Sequence, residues 1–363
     1  MFKEDNIDGS QQTADGRRQT EDRRQKSEDR RRDEDNILRQ AQDDLVSRQQ
    51  TADGRQKTED RSLKTEVKRQ KESIIGNVAP SQVNSRTIRP EWLKVRAPGG
   101  EKYAEIKEMM QSKKLHTVCE EAHCPNIGEC WGMGTATFLI LGEVCTRNCR
   151  FCAITTGKPI PPYPEEPMKV AESVRKMKLK HAVITSVNRD DLDDGGSKLW
   201  AETILKTREL NPNTSIEVLI PDFMGFFDQL DRVIEAKPDI LNHNIETVPR
   251  IYAKVRPKAV YQRSLDLLKY SAERGMRTKS GLMVGIGEKP EEVIEVLKDL
   301  YAHKVKIVTI GQYLQPSKQH LPVDRFVKPE EFAEYKRVGL EMGFEIVESA
   351  PLVRSSYHAV KHV

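Results

Sequence analysis

Residues 136–152 read ATFLILGEVCTRNCRFC. Ala136 to Gly142 is a short apolar run that fits a buried strand. Close behind it stand Cys145, Cys149 and Cys152, separated by three and then two residues. A strand that opens into such a loop sets three thiols beside one another. Upstream, Cys119, Cys124 and Cys130 occupy CEEAHCPNIGEC, separated by four and then five residues. Together these are all six cysteines of a 363-residue chain. Thiolates bind iron–sulfur clusters and zinc alike. A structural zinc site wants four ligands, usually as two close pairs, whereas each triplet offers three. Three thiolates on a four-iron cluster leave one iron open to a small molecule. The upstream triplet needs a fourth ligand from elsewhere or remains open, and the nearby His116 and His123 are able to complete a zinc site.

Working outward, 101–113 (EKYAEIKEMMQSK) carries Tyr103, Ile106, Met109 and Met110 at helical spacing and runs into the upstream triplet. Beyond residue 152 the pattern alternates. Strand candidates are 182–187, 215–220, 239–244, 278–284, 306–313 and 344–347. Helix candidates lie between them at 165–178, 197–210, 226–236, 261–274, 290–303 and 329–342. Pro290 and Pro329 stand where a first helical turn tolerates proline, and Gly275 and Gly343 where helices end. Repeated strand–helix units predict a parallel sheet covered by helices. About six such units suit a barrel-like (β/α) fold, complete or open. A doubly wound sheet is the alternative, and periodicity does not separate the two. In either, chemistry belongs at the carboxyl ends of the strands. Polar residues expected there lie in Ser186 to Asp191, Asn242 to Glu246, Lys279 with Ser280, and Gln312 to Pro316.

The formal net charge of +4 and pI near 8.6 do not by themselves imply nucleic acid. No apolar run reaches the eighteen or so residues of a membrane span. The first residues lack the apolar core of a secretory signal, and the arginines of the first 85 residues are matched by Asp and Glu, unlike a transit peptide. A reducing cytoplasm is therefore expected, where clustered cysteines serve metals or catalysis. Residues 1–85 are of low complexity: QQTADGRRQTED at 11–22 returns as QQTADGRQKTED at 49–60. Too few apolar residues are present to form the stacked face of a solenoid, so the segment is expected to be a disordered charged tail.

The loop Cys145-Thr146-Arg147-Asn148-Cys149-Arg150-Phe151-Cys152, with its aromatic residue before the last cysteine, resembles that of the radical S-adenosylmethionine enzymes. The resemblance implies a cluster whose open iron chelates S-adenosylmethionine, so that one electron yields a 5′-deoxyadenosyl radical. A four–five triplet ahead of a three–two triplet is similar to the lipoyl synthase family. The likeness continues in SVNRDDLDDGG (186–196), NHNIET (242–247), VRPKAVYQRSL (255–265), TKSGLMVGIGE (278–288), TIGQYLQPS (309–317) and PLVRSSYHA (351–359). It covers about 88–360, and the N-terminal extension departs from it.

The resemblance implies an α/β fold, a partial (β/α)6-type TIM barrel with N-terminal and C-terminal extensions carrying an auxiliary Fe–S cluster. The expected organisation is a tail at 1–85, an N-terminal extension at 86–135, the barrel at 136–348 and a closing segment at 349–363. The implied cofactors are two [4Fe-4S] clusters and S-adenosylmethionine. Cys145, Cys149 and Cys152 would hold the radical-generating cluster. Cys119, Cys124 and Cys130 would hold the auxiliary one, its fourth ligand being Ser356 of Arg354-Ser355-Ser356-Tyr357. Gly195 and Gly196 resemble the glycine pair that meets the methionine amino group. Asn188, Arg189, Asn242, Glu246 and Lys279 are candidate contacts for S-adenosylmethionine or substrate, and His243 reads as a satisfied strand-end histidine.

The implied activity inserts two sulfur atoms at C6 and C8 of an octanoyl chain on a carrier lysine, with the auxiliary cluster as sulfur donor. Implied partners are octanoylated lipoyl carrier domains (2-oxoacid dehydrogenase E2 subunits and the glycine cleavage H protein), an electron donor such as flavodoxin or ferredoxin, and a cluster-repair carrier. Neither membrane nor nucleic acid is expected. Two other readings compete. A tRNA methylthio-transferase of the same superfamily should carry an added RNA-binding domain. A zinc module with a basic, nucleic-acid-binding arm should carry stoichiometric zinc.

Overall fold

The computed structural model describes residues 89–363 except 96–98, 100, 114–115, 118–119, 121–123, 125, 133–136, 358 and 363. The charged tail, Cys119 and His123 thus lie outside the described residues.

Strands are β1 (His116–Thr117), β2 (Thr137–Ile140), β3 (Val144–Cys145), β4 (Thr155–Thr156), β5 (His181–Ser186), β6 (Ser215–Leu219), β7 (Ile240–Asn242), β8 (Thr278–Val284), β9 (Ile307–Gln312) and β10 (Ile346–Ser349). Helices are α1 (Glu101–Lys113), α2 (Ile127–Gly132), α3 (Glu166–Met177), α4 (Ser197–Leu210), α5 (Phe227–Glu235), α6 (Tyr252–Val255), α7 (Tyr261–Glu273), α8 (Pro290–Ala302) and α9 (Pro329–Met342).

One sheet runs in the order β1-β2-β5-β6-β7-β8-β9-β10. Only the β1–β2 pair is antiparallel; the other pairs are parallel. A doubly wound sheet reverses its strand order partway. Here the parallel strands follow one another without reversal, which is the barrel arrangement. The edges β1 and β10 do not pair, so the barrel is open. Seven parallel strands take part, β2 preceding the six expected from the alternation. All residues of β2 and β9 are buried, as are all but the last of β5. Burial on both faces explains why these strands read as continuous apolar runs.

The helix boundaries follow local chemistry. α3 stops at Met177 because Lys178 turns into the left-handed region at φ 52°. α8 opens on Pro290, and the Glu292 carboxylate accepts from the Lys289 backbone N–H at 2.8 Å. α9 ends at Gly343, φ 103°, where only glycine is unstrained. The last strand lies two residues later than the run 344–347 suggests. Phe344 is buried in the core with Val347, so the apolar signal was right while the pairing began at Ile346.

Candidate active site

The cysteine loop is set by a small ladder. β3 pairs in parallel with β4, Val144 opposite Thr155 and Cys145 opposite Thr156, so residues 146–154 form a loop with both ends pinned. Neighbouring strand ends hold it from outside. Thr146 N–H donates to Asn188 O (3.1 Å), Arg150 N–H to Val255 O (2.9 Å) and Leu321 N–H to Arg150 O (3.0 Å). Arg147 is buried beneath the loop. Its guanidinium donates twice to Asp190 at 2.8 Å and once to Asp222 at 2.6 Å. Burial works against the Asp222 charge, but Arg147 outweighs it and holds the carboxyl well below its usual range. Arg263 donates to the other Asp222 oxygen at 3.1 Å.

Cys145, Cys149 and Cys152 all face a cavity of about 510 Å³. Its lining also includes Val353, Arg354 and Ser355. The Cys145 sulfur accepts from the backbone N–H groups of Arg147 and Asn188, both at 3.4 Å. Burial raises the Cys149 thiol, against the pull of Arg256, and pushes the Cys152 thiol up to about 12. Thiols raised by burial need a metal's positive charge to exist as thiolates. Among the described residues, no group of three or more His, Cys, Asp or Glu is placed to hold a single ion. A four-iron cluster takes one thiolate per iron, so its ligands stand around a cube rather than around one ion. Three thiolates are one short of a structural zinc set and match a cluster that keeps one iron open.

The cavity also carries unmatched polar atoms. Ser186 Oγ, Asn188 Oδ1, Asn244 Oδ1, Arg147 Nη1 and Arg256 Nε are buried without a hydrogen-bond partner among the described residues, and all five residues line the cavity. Such atoms are costly unless a ligand meets them. Both donors and acceptors are present, so the ligand must be polar with groups of both kinds. Glu246 is also on the wall, in a left-handed conformation at φ 69°. Burial raises its carboxyl, opposed by the Arg256 charge. A Cβ on Gly281 would stand 2.5 Å from Thr309 Oγ1 and 2.9 Å from Asn244 Oδ1, so glycine keeps that wall open.

The expected contact residues divide. Asn188 and Glu246 line the cavity. Arg189 is buried outside it, paired with Asp191 at 2.9 and 3.0 Å and donating to Leu141 O at 3.1 Å. Gly195 and Gly196 take φ of 57° and 83° and lead into α4 rather than lining the cavity. A Cβ on Gly196 would meet Leu141 Cδ1 at 2.6 Å, so that glycine serves helix–strand packing. Lys279 and Asn242 are displaced furthest. Lys279 begins β8 rather than ending it, and both side chains turn to the buried Glu217, Lys279 Nζ at 2.7 Å and Asn242 Nδ2 at 3.1 Å. His243 has both ring nitrogens engaged, with Ile220 O and Ser264 Oγ, each at 2.9 Å. Burial and the Arg256 charge push it down to about 4, so it is neutral at pH 7.

Arg147, Asp222 and Arg256 were not singled out from sequence. Arg147 and Arg150 both stand in the cysteine loop, and only the fold shows that Arg147 anchors it, through partners 43 and 75 residues on.

Of the upstream triplet, Cys124 and Cys130 are described and half-buried. Cys130 sits on α2 and Cys124 just before it. The segment after β10 packs on them: Asn126 Nδ2 donates to Leu352 O at 2.8 Å, and Tyr357 OH to the Glu129 carboxylate at 3.1 Å. Burial raises the Cys124 thiol, and the Arg354 charge opposes the rise. Residues 352–357 thus line the cavity in part and bond to Asn126 and Glu129, which neighbour Cys124 and Cys130 in the chain. Ser355 is on the cavity wall, whereas Ser356 is half-buried beside it and absent from the lining.

Among the described residues no helix is long and apolar enough to cross a membrane. Residues 139–300 match the Radical SAM superfamily. Residues 16–124 match the N-terminal domain of lipoyl synthase of Radical_SAM family, so the likeness begins inside the tail that had been set apart from it. The chain is 59% identical to a lipoyl synthase of Rubrobacter xylanophilus, over 77% of this chain and 87% of that protein. It is 55% identical to a mitochondrial lipoyl synthase of Nematostella vectensis, over 77% and 96%. A lipoyl synthase of Flavobacterium johnsoniae is 53% identical, over 80% and 99%. With the thiol loop, the cavity and the second triplet in place, these matches assign the chain to the lipoyl synthase family of the radical S-adenosylmethionine superfamily.

Proposed function

We propose that this enzyme converts an octanoyl chain, amide-linked to a lysine of a lipoyl carrier domain, into a lipoyl group by inserting sulfur at C6 and C8. One observation carries the reading. A single cavity is lined by Cys145, Cys149 and Cys152 and by Val353, Arg354 and Ser355, whose segment also bonds Asn126 and Glu129 next in the chain to Cys124 and Cys130. Carbon radicals are indiscriminate, so the reacting carbon must lie close to both radical and sulfur, and one cavity between two thiol sets meets that need.

The first cluster would be held by Cys145, Cys149 and Cys152, and the second by Cys119, Cys124, Cys130 and Ser356. When bound, the clusters and S-adenosylmethionine supply the one-electron chemistry and the sulfur. The chain's residues do the rest. Arg147, through Asp190 and Asp222, fixes the loop that presents the first thiols. Asn188 and Asn244 offer polar atoms to S-adenosylmethionine, and Glu246 is positioned to accept from it. Arg256 places a charge beside Cys149. Gly281 keeps its part of the wall open for an extended acyl chain. Carrier domains of 2-oxoacid dehydrogenases and of the glycine cleavage system are the substrates this reading implies. A flavodoxin- or ferredoxin-like reductant, a carrier that rebuilds the second cluster, and a cytoplasmic site of action complete it.

The test is an anaerobic assay with an octanoyl-lysine peptide that follows 5′-deoxyadenosine and thiolated product together. Product formation, with iron and sulfide each near about eight atoms per chain, supports the reading. Stoichiometric zinc in anaerobically purified protein overturns it.

A further inference from the structure

The base of the barrel holds a polar cluster that the reaction does not use. Lys279 is 0% exposed, yet its ammonium group has a partner for each of its three protons. Two go to the Glu217 carboxylate, at 2.7 and 3.0 Å. The third goes to Nδ1 of His362, at 3.1 Å. Glu217 is fully buried as well, and it also accepts from Asn242 Nδ2 and lies 3.5 Å from His181 Nε2. Lysine only donates, so His362 Nδ1 must accept, which puts the proton of a neutral imidazole on Nε2. His362 is 1% exposed, and its carbonyl accepts from the Arg277 guanidinium. A buried ion pair is tolerated only when its donors and acceptors are satisfied; the last Lys279 proton goes to a residue 83 positions away, while His362 Nε2 has no partner among the described residues.

His362 belongs to the same short stretch as Arg354-Ser355-Ser356-Tyr357. Ala359, between them, is fully buried, and its N–H donates to Ser356 O at 3.4 Å. Upstream, the stretch is fastened to the carboxyl end of β9: Gln312 N–H donates to Pro351 O at 3.2 Å, and Val353 O packs against Gly311. Downstream, it reaches Lys279 at the amino end of β8. The serines therefore lie on a span tied at both ends of the sheet.

We propose that the Lys279–Glu217 pair is a latch which, by docking His362, positions residues 354–357 against the cysteines of the upstream triplet. His362 is a positioning residue here, acting through the chain rather than on the substrate. The assignment of Ser356 as a ligand rests on the proposed function, whereas the latch itself rests on these contacts.

The test uses the full chain with both clusters reconstituted. Hydrogen–deuterium exchange is followed across residues 351–358 in wild type, His362→Ala and His362→Asn, alongside the Mössbauer spectrum of the clusters. Asn offers an acceptor near the Nδ1 position. Loss of a hydrogen bond to a charged group predicts exchange roughly tenfold faster in His362→Ala, with His362→Asn close to wild type. Unchanged exchange in His362→Ala overturns the latch, as does failure of Asn to restore what Ala loses. Faster exchange in His362→Ala supports the latch, and a spectrum unaltered by Ser356→Ala removes Ser356 as ligand. A spectrum altered by Ser356→Ala, with exchange indifferent to His362, does the reverse.

Discussion

Arg147 shows how much of the site hangs on one side chain. It stands inside the thiol loop, is buried, and carries its charge against two aspartates. Its own pKa is held above the ordinary value: burial would lower it, and Asp190 and Asp222 raise it further. Replacement by Met leaves a buried carboxylate with only Arg263 opposite. Removing one partner of a buried pair costs about 3 kcal/mol at the low end of the usual range. Arg147→Met is expected to lose that much in denaturant unfolding of the cluster-free protein, and an unchanged midpoint would show that the ion pairs do not hold the loop. The thiols themselves give a sharper expectation. Cys145→Ala, Cys149→Ala or Cys152→Ala should each abolish 5′-deoxyadenosine formation, and continued cleavage of S-adenosylmethionine would remove that variant's cysteine from the site.

At the scale of elements, the segment after β10 is the piece on which the second triplet depends. It approaches β9 so closely that a Cβ on Gly311 would stand 2.0 Å from the Val353 carbonyl oxygen. Backbone rather than a flexible side chain is in the way, so Gly311→Ala must push the segment outward. Overpacking of this kind costs about 1–3 kcal/mol. Its expected signature is loss of sulfur insertion with 5′-deoxyadenosine still formed, read in the octanoyl-lysine assay; retained lipoyl product would show that the segment's seat is not needed. Cys124→Ala or Cys130→Ala should give the same split between radical formation and product. Lys279 carries the lesson of register. It is the second residue of β8 and pairs across to Asn242, and both side chains meet Glu217 rather than lining the cavity.

The whole molecule adds a pH dependence. Folding pushes His362 from 6.5 down to about 4, by burial and by the Lys279 charge. The unfolded chain therefore takes up this proton first as pH falls, and stability from this group is full above 6.5 and lost toward 4. Glu217 is held down to about 2: burial raises it, and Lys279 and His181 outweigh the rise. Its contribution is full above 4.5 and is lost toward 2. Both groups weaken the fold in acid, His362 first. Denaturation midpoints measured between pH 7 and 4 should fall for wild type and flatten for His362→Asn, and parallel slopes would mean that His362 is not buried neutral. Residues 1–85 are a low-complexity charged repeat with few apolar residues to pack. Deleting residues 1–85 is thus expected to leave 5′-deoxyadenosine formation at the full-chain rate, and a large loss would give the tail a role in the site.

Some of this was decided within short stretches of chain. The thiol spacings, the apolar strands and the caps at Pro290, Pro329 and Gly343 depend on neighbours in sequence, so the (β/α) alternation and the two triplets were legible without coordinates. Open barrel against doubly wound sheet was not, because strand order is a long-range fact. Nor was the sorting of polar strand residues. Asn188 and Lys279 both sit on strands or at their ends, and periodicity tells which face a residue takes but not how deep it lies along the barrel. Register between strands sets that depth, and it sent Asn188 to the cavity and Lys279 to the base. Only the folded chain joined Arg147 to Asp222 and His362 to Lys279. Such pairs form where burial makes an unpartnered charge costly, and the partner is then whatever the tertiary structure brings within reach.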